Sequence, residues 1–598
     1  MNFRCIDDLR NHLFAKFAEN VDDMALVIEP EICPPEMDGD ITVNCFRFAR
    51  ALKSNPMEVA KLAAEFLSDH EDVESAEVIK AFINVTLAPG ALHRDTVAKI
   101  DQLLADDLLN DEERKKIIVE YSAPNTNKPQ HLGHVRNNTL GMALASLLKR
   151  IGHNVVPINL VNDRGIHICK SMTAYRRFGN GVTPESTGKK GDHLVGDFYV
   201  RYDQELKKEI AELRNSQPEL KDKSDDDLFV ETEIGREAQQ MLRDWEAGDC
   251  EVRKLWEMMN EWVFAGFNET YQRMGVKFDK TYLESDTYLL GKDIIAEGIE
   301  KGVFVKREDG ATIVDLGKKL GEKVVLRSDG TSVYITQDIG TTLKKYSDYK
   351  PDRQIWVVGD EQKYHFQVLF EILKKLGYTW AEDLHHLAYG MVNLPSGKMK
   401  SREGTVVDAD DLFDEMKALA KSATLERAGE NIPADIDERS ETIGMGALKF
   451  MLLKFNPKTT IMFNPEESLK FEGDTGPYVQ YACARISSIL RKGGIDNSSV
   501  DNSVKWDLLS SKFEKNLAVR AFQYPSVLKR AGELMDCSGI INYLLDLAKD
   551  FSRFYRECSV LNAENDELKK ARLELSRRTR DILADGLRTL TINVPEAM

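Results

Sequence analysis

Residues 117–138 read IIVEYSAPNTNKPQHLGHVRNN, and the way this stretch divides decides the fold. Ile117-Ile118-Val119-Glu120-Tyr121 is a short β-branched run of the kind that forms a buried strand. The proline- and asparagine-rich loop that follows cannot continue it. Past the loop, Leu140, Leu144, Leu147, Leu148 and Ile151 fall on one helical face, and Gly152 stands where a left-handed C-terminal cap is expected. VVPINLV, residues 155–161, reads as the next strand. Strand, loop, helix and strand make a βαβ unit, which predicts an α/β protein built on a Rossmann-like parallel sheet. Ligands of such sheets collect beyond the carboxyl ends of the strands, so the loop carrying His131-Leu132-Gly133-His134 is the first candidate for chemistry.

Working outward, residues 1–110 combine helical patterning with the alternating run Phe82–Leu87, closed by Pro89-Gly90, and predict a small α+β domain. The charged stretch DDLLNDEERKK puts a boundary near 112. A catalytic α/β domain is expected over 113–408, interrupted at about 180–275 by a charged helical insertion that includes KKEIAELRNSQPELKDKSDDD. Strand character returns in SVYIT and in QIWVVGD, the latter followed by the helix FQVLFEILKKLG. From 409 the chain reads as helical, with a connecting region over 409–470 and a final all-helical domain over 471–598 that begins at Gly473-Asp474-Thr475-Gly476-Pro477.

A chain of 598 residues exceeds what one core organises. Its 81 basic and 99 acidic residues leave a net charge of −18, which excludes coating of nucleic acid or anionic membrane by bulk electrostatics. Any nucleic-acid face must be a local patch. Eight cysteines stand singly, without a CxxC pair or zinc-ligand spacing, as expected of thiols in a reducing compartment. No signal-like start and no long apolar run occur, so a cytoplasmic protein without membrane contact is expected.

His131 and His134 sit where a helix opens, and helix N-termini offer free N–H groups and a positive dipole end to phosphate. Two imidazoles one turn apart can donate to a phosphate in its transition state, and Gly133 between them lets an adenine ring approach the backbone. After AYGMVNLP comes a basic loop, Lys398-Met399-Lys400-Ser401-Arg402-Glu403-Gly404, which alone would be only a solvated turn. Paired in this order, the two motifs resemble the halves of a class I aminoacyl-tRNA synthetase active site. The strings VEYSAPNTNKPQHLGHVRNN, SDGTSVYITQDIG, VVGDEQKYHF and EGDTGPYVQYACARISSIL narrow this to a resemblance to the arginyl-tRNA synthetases along the whole chain.

That resemblance implies activation of L-arginine by ATP with release of pyrophosphate, then transfer to the 3′ end of arginine tRNA, by a monomer whose activation step waits for tRNA. Mg2+ would accompany ATP, held by phosphate oxygens and water, with no tightly bound metal. It places His131, Gly133, His134, Lys398, Met399, Lys400 and Ser401 on ATP, with both histidines and lysines 398 and 400 in catalysis. Glu120 and Asp338 would face the guanidinium beside Tyr334, while Asn125, His131 and Gln362 hold the amino-acid head. From the residues alone, Glu120 and Asp338 read more readily as ordinary strand-end carboxylates and Tyr334 as a core aromatic. A site built from fixed acceptors rejects lysine, whose compact ammonium cannot satisfy them, and citrulline, which leaves buried carboxylates unpaired.

Ser401 stands where the class I loop has its second lysine, and Lys128, just before the histidine loop, is expected to supply the missing charge in catalysis and ATP binding. The resemblance also assigns Phe82 and Asn84 to a base of the tRNA elbow, and Tyr478 and Arg485 to tRNA at the helical anticodon-binding end. A basic cluster at Lys569, Lys570, Arg572, Arg577, Arg578 and Arg580 reads either as a tRNA face or as a solvated helix face. Two other readings keep the same sheet. A silent tRNA-binding relative would make no pyrophosphate, and a small-molecule adenylyltransferase would not need tRNA.

Overall fold

The computed structural model describes residues 3–17, 26–34, 36–329, 333–395, 407–495 and 503–598. Near the N-terminus, β1 (Pro30–Ile32), β2 (Ile41–Asn44), β3 (Val73–Ile79) and β4 (Phe82–Leu87) form an antiparallel sheet in the order β1-β2-β4-β3. The helix Pro56–Ser68 packs beside it, started by the Asn55 side chain and by proline at its first position. Its buried residues Val59, Ala60, Ala63, Ala64 and Leu67 follow helical spacing and face the sheet.

The central sheet contains β5 (Lys116–Glu120), β6 (Asn154–Val161), β7 (Lys280–Leu283), β11 (Arg353–Gly359) and β12 (Leu384–Tyr389), all parallel, in the order β12-β11-β5-β6-β7. The chain steps outward from β5 to β6 and β7, then returns to the other side of β5 for β11 and β12. The reversal falls between β5 and β11, which opens a crevice at their carboxyl ends. Helix Leu132–Ile151 crosses from β5 to β6 and ends at Gly152, whose φ of 117° gives the left-handed cap.

Between β6 and β7 lie the helices Ile166–Phe178, Gly191–Ser216, Glu233–Ala247 and Cys250–Met274, the expected insertion. A small antiparallel sheet of β8 (Val305–Lys306), β9 (Thr312–Asp315) and β10 (Glu322–Leu326) follows; it was not foreseen. SVYIT, expected to be a strand, is corrected: Tyr334–Tyr349 is a helix with Val333 as its N-cap. The β-branched run is only the start of a longer pattern in which Ile335 and Ile339, four apart, are buried on one face.

From Ala409 onward the chain is helical, except that β14 (Ile461–Met462) pairs in parallel with β13 (Val392–Asn393). Helices Gly476–Lys492, Lys512–Leu534, Ser538–Glu557 and Asp566–Thr589 form the final bundle, the first capped by Thr475 with Pro477 in its opening turn. The C-terminal tail docks on the body: Ile592 is buried, and Lys449 and Gln480 donate to the carbonyls of Thr591 and Asn593.

The basic cluster proves to be neither a tRNA face nor a solvated one at its centre. Arg577 and Arg578 are 4% and 3% exposed and pair with the buried Glu574 and with Asp101 from the other end of the chain. Arg572 likewise pairs with the buried Glu514.

Candidate active site

The turn that leaves β5 is strained and tightly held. Ser122 and Ala123 have φ of 78° and 46°, left-handed backbone that costs a side-chain-bearing residue roughly 1–3 kcal/mol each. Ser122 N donates to Asn137 Oδ1 at 2.6 Å, Ala123 N donates to Asn159 Oδ1 at 3.0 Å, and the Ser122 and Tyr271 hydroxyls meet at 2.7 Å. Asn137 also donates to the carbonyl of Val357 in β11, so one side chain fixes the turn to both walls of the crevice. Beyond the turn, Thr126 Oγ1, Asn127 Oδ1 and Asn162 Oδ1 are buried without a partner among the described residues, a concentration of polar atoms suited to a ligand.

His131 is the N-cap of helix Leu132–Ile151. Its Nδ1 accepts from Gly133 N at 3.1 Å, and His134 Nδ1 accepts from His131 N at 3.2 Å. Accepting at Nδ1 fixes both rings in the tautomer that carries its proton on Nε2, leaving an N–H donor on each. Burial, aided by Lys128, pulls His131 down to about 4; burial, with His131 and Lys128, holds His134 well below the imidazole range. Both rings are therefore neutral donors at working pH. A Cβ on Gly133 would stand 2.9 Å from the His131 ring, so this glycine makes room for the histidine's own bond as well as for a ligand.

Lys128 is half-buried, has no hydrogen-bond or ion-pair partner among the described residues, and is lowered in pKa by burial. An anionic ligand would supply the missing partner. Lys398, Met399, Lys400 and Ser401 lie outside the described residues. The chain that follows them returns to the histidine loop: Leu132 N donates to Val407 O at 2.9 Å and Ala409 N to Gln130 O at 3.0 Å.

Beside this loop lies a cavity of about 280 Å³, lined among others by Asn125, Arg164, Glu284, Tyr334 and Gln337. Its size, at the low end of ligand pockets, suits an amino acid. Tyr334 is 76% exposed at the first turn of its helix. Asp338, one helical turn on, accepts from or shares a proton with His365 Nε2 at 2.6 Å; that bond raises the His365 pKa. Gln362 follows the end of β11, exposed. Glu120, expected at the guanidinium site, is 6% exposed and has Oε2 seated on the buried ammonium of Lys345, which leaves only its other oxygen for a ligand. The sequence reading missed Glu284, which lines the cavity. Burial pushes its carboxyl up to about 7, with Asp163 and Asp338 adding and Arg164 opposing. The signal available was its place directly after the last strand on that side of the sheet, β7.

Of the residues expected to meet tRNA, Phe82 is half-buried with the exposed Phe46 edge-on to it, 6.0 Å between ring centres. Asn84 is corrected. It is 3% exposed and its amide donates to the sulfur of the exposed Met37 at 3.6 Å, so it pairs with no base unless Met37 moves aside. Tyr478 is half-buried, and the exposed Arg485 lies over the Tyr555 ring at 4.7 Å.

Comparison with known proteins matches three family models: Arginyl tRNA synthetase N terminal domain over residues 6–87, tRNA synthetases class I (R), catalytic domain over 99–464, and DALR anticodon binding domain over 479–598. The arginine–tRNA ligase of Parabacteroides distasonis is 47% identical over 568 residues, 94% of each chain, and that of Bacteroides thetaiotaomicron 46% over 571 residues, also 94% of each. Among solved structures, Thermus thermophilus arginyl-tRNA synthetase superposes with a TM-score of 0.77 at 26% identity over the full length of both chains. Arginyl-tRNA synthetase from Plasmodium falciparum, at 19% identity and a TM-score of 0.74 over the full length of both chains, shares the fold.

Proposed function

The chain belongs to the arginyl-tRNA synthetase family, and on that premise we propose how its own residues divide the work. The enzyme activates arginine with ATP, releasing pyrophosphate, and transfers the arginyl group to the 3′ end of arginine tRNA. In the first step an arginine carboxylate oxygen attacks the α-phosphorus and the bond to the bridging oxygen breaks. A hydroxyl of the terminal ribose then attacks the arginyl carbonyl, and AMP leaves.

Neither step needs a covalent bond to the protein, so the catalytic work is orientation and charge stabilisation. The Nε2–H groups of His131 and His134 donate to the α-phosphate as charge builds on it, and Gly133 admits the adenine. Lys128, without a partner until phosphate arrives, faces the leaving pyrophosphate with Lys398 and Lys400, and Met399 and Ser401 complete that loop. Magnesium enters with ATP as part of the substrate. Asp338 and Glu284 take the guanidinium, Tyr334 covers it, and Asn125, His131 and Gln362 hold the amino-acid head. Phe82 meets the tRNA elbow, and Tyr478 and Arg485 meet the anticodon arm. The working unit on this reading is a monomer. The eight free cysteines, seven of them buried, suit the reducing cytoplasm, and among the described residues no helix is long and apolar enough to cross a membrane.

The observation that carries this reading is the pair of neutral imidazoles, each with Nδ1 occupied and Nε2–H free, at the end of a loop whose Asn125 lines the cavity that holds Glu284, a carboxyl raised by burial to about 7. ATP–pyrophosphate exchange with each of the twenty amino acids, with and without tRNA, tests it. Exchange with arginine alone is expected, and only when tRNA is present. Exchange with arginine without tRNA would remove the gating, and no exchange from folded, tRNA-binding protein would overturn the reading.

A further inference from the structure

The first long helix of the insertion, Gly191–Ser216, braces the histidine loop at two points within two turns, once through the segment 407–410 and once directly. At its start, Lys190 Nζ donates to Asp410 Oδ2 at 2.6 Å, to Asp192 Oδ2 at 3.2 Å and to the Thr270 hydroxyl. His193 Nε2 lies 3.1 Å from the same Asp410 oxygen and 3.6 Å from Asp408 Oδ2, and Thr270 Oγ1 donates to Asp410 Oδ1 at 3.3 Å. Asp408 in turn caps the next helix, accepting from Asp410 N at 2.8 Å. Residues 407–409 are the segment whose backbone pairs with Gln130 and Leu132.

Farther along the same helix, Gly196 lies directly against the start of the histidine loop. A Cβ there would stand 2.8 Å from Pro129 Cδ and 3.7 Å from Lys128 Cα. One helix therefore supports both the start of the histidine loop and the segment 407–410 paired with it, through residues ~9 Å apart along its axis or closer.

The cluster is not arranged as a metal site. Asp192, His193 and Asp410 bring ligand-type atoms within 4.8 Å of one another, but the Lys190 ammonium already stands between two of the carboxylates, where a cation would go. Nor is stability a sufficient reason for it, because partly buried ion pairs often contribute no more than apolar packing would; what they fix is geometry. Burial would raise the Asp410 carboxyl, yet His193 and Lys190 hold it at about 2, so the contact stays ionised throughout the working range.

We infer that Lys190, His193 and Asp410 are positioning residues for ATP. Their contact fixes where residues 407–409 meet the histidine loop, and Gly196 on the same helix bears on Lys128-Pro129 at the start of that loop. This rests on the proposed function, since it presumes that this loop holds ATP.

The test uses full-length enzyme in arginine-dependent ATP–pyrophosphate exchange, with thermal melting as the control for folding. Asp410→Asn and Lys190→Met are expected to raise the KM for ATP about tenfold while the KM for arginine stays within about twofold. The double variant should be no worse than either single, because both remove one contact. Lys190→Arg should restore most of the loss. Gly196→Ala, which leaves the ion cluster untouched but pushes on Pro129, should give the same ATP-selective defect. Unchanged ATP KM in both Asp410→Asn and Gly196→Ala, or equal rises for ATP and arginine, overturns the inference even if melting temperatures fall. Wild-type exchange that ignores arginine would instead overturn the functional reading, and the clamp with it.

Discussion

His131 and His134 owe their chemistry to the ring nitrogen that is already engaged. Because backbone N–H groups occupy each Nδ1, the proton sits on Nε2, and because burial keeps both rings neutral, each offers a donor without a competing positive charge. Replacing either by alanine should lower the exchange kcat by about 100- to 1000-fold, the usual loss for one such donor; the arginine KM should change little in His134→Ala and rise in His131→Ala, which also loses a contact to the amino-acid head. The sign of the pH effect follows from the lowered pKa: the neutral ring persists as pH falls and is lost only as it approaches about 4, so exchange rates measured toward acid pH should show no imidazole limb near neutrality. Glu284 behaves in the opposite sense. With its carboxyl raised to about 7 in the free enzyme, it must give up a proton to meet a guanidinium, so arginine affinity should weaken as pH falls below about 7. Calorimetry in two buffers of different ionisation enthalpy should register proton release on arginine binding, and Glu284→Gln should abolish it; binding without proton release in the wild type would rule out this role.

At the scale of elements, the turn after β5 stores strain that three neighbours hold in place. Asn137→Ala would leave Ser122 N without its acceptor and free the joint between the turn and β11, and should lower stability by about 1–3 kcal/mol in a urea melt, with exchange falling further than stability explains. Asn137 was readable in the sequence only as part of a helix. The βαβ unit, the Gly152 cap and the placement of both histidines were legible because each rests on patterns local in the sequence. The Tyr334–Tyr349 helix was not, since its first residues are β-branched and the buried face emerges only over the next turns. Its being a helix matters to the site: Tyr334 and Asp338 would stand about 13 Å apart on a strand and lie about 6 Å apart as neighbours one turn apart on a helix. The Glu120–Lys345 pair was beyond reach for a different reason. Its partners are separated by 225 residues, and a strand-end carboxylate looks the same in sequence whether it waits for a ligand or for a lysine.

Across the whole molecule, the arginines of the last helix show why a charge cluster cannot be assigned from sequence alone. Arg577 and Arg578 do not spend their charge on solvent or nucleic acid; with Glu574 they fasten Asp101 of the N-terminal part to the final bundle, next to a contact between Arg150 and Asp585 at 3.0 Å that ties the end of the first catalytic helix to the same bundle. The N-terminal part and the final bundle are thereby tied to each other by ion pairs of these two buried arginines. Removing an interdomain tie and removing a tRNA contact should then leave different signatures. Asp101→Ala should lower stability by about 1–3 kcal/mol, less than loss of a fully buried partner because Glu574 remains, and should leave the salt dependence of tRNA binding unchanged. Arg485→Ala, at the exposed Arg485–Tyr555 pair, should leave the urea midpoint unchanged, weaken tRNA binding, and reduce the slope of log affinity against log salt by about 1, as loss of one phosphate contact does. Filter binding across a salt series, with urea melts of the same proteins, distinguishes the two; a reduced salt slope for Asp101→Ala would mean that the buried arginines reach tRNA after all, through a movement that exposes them.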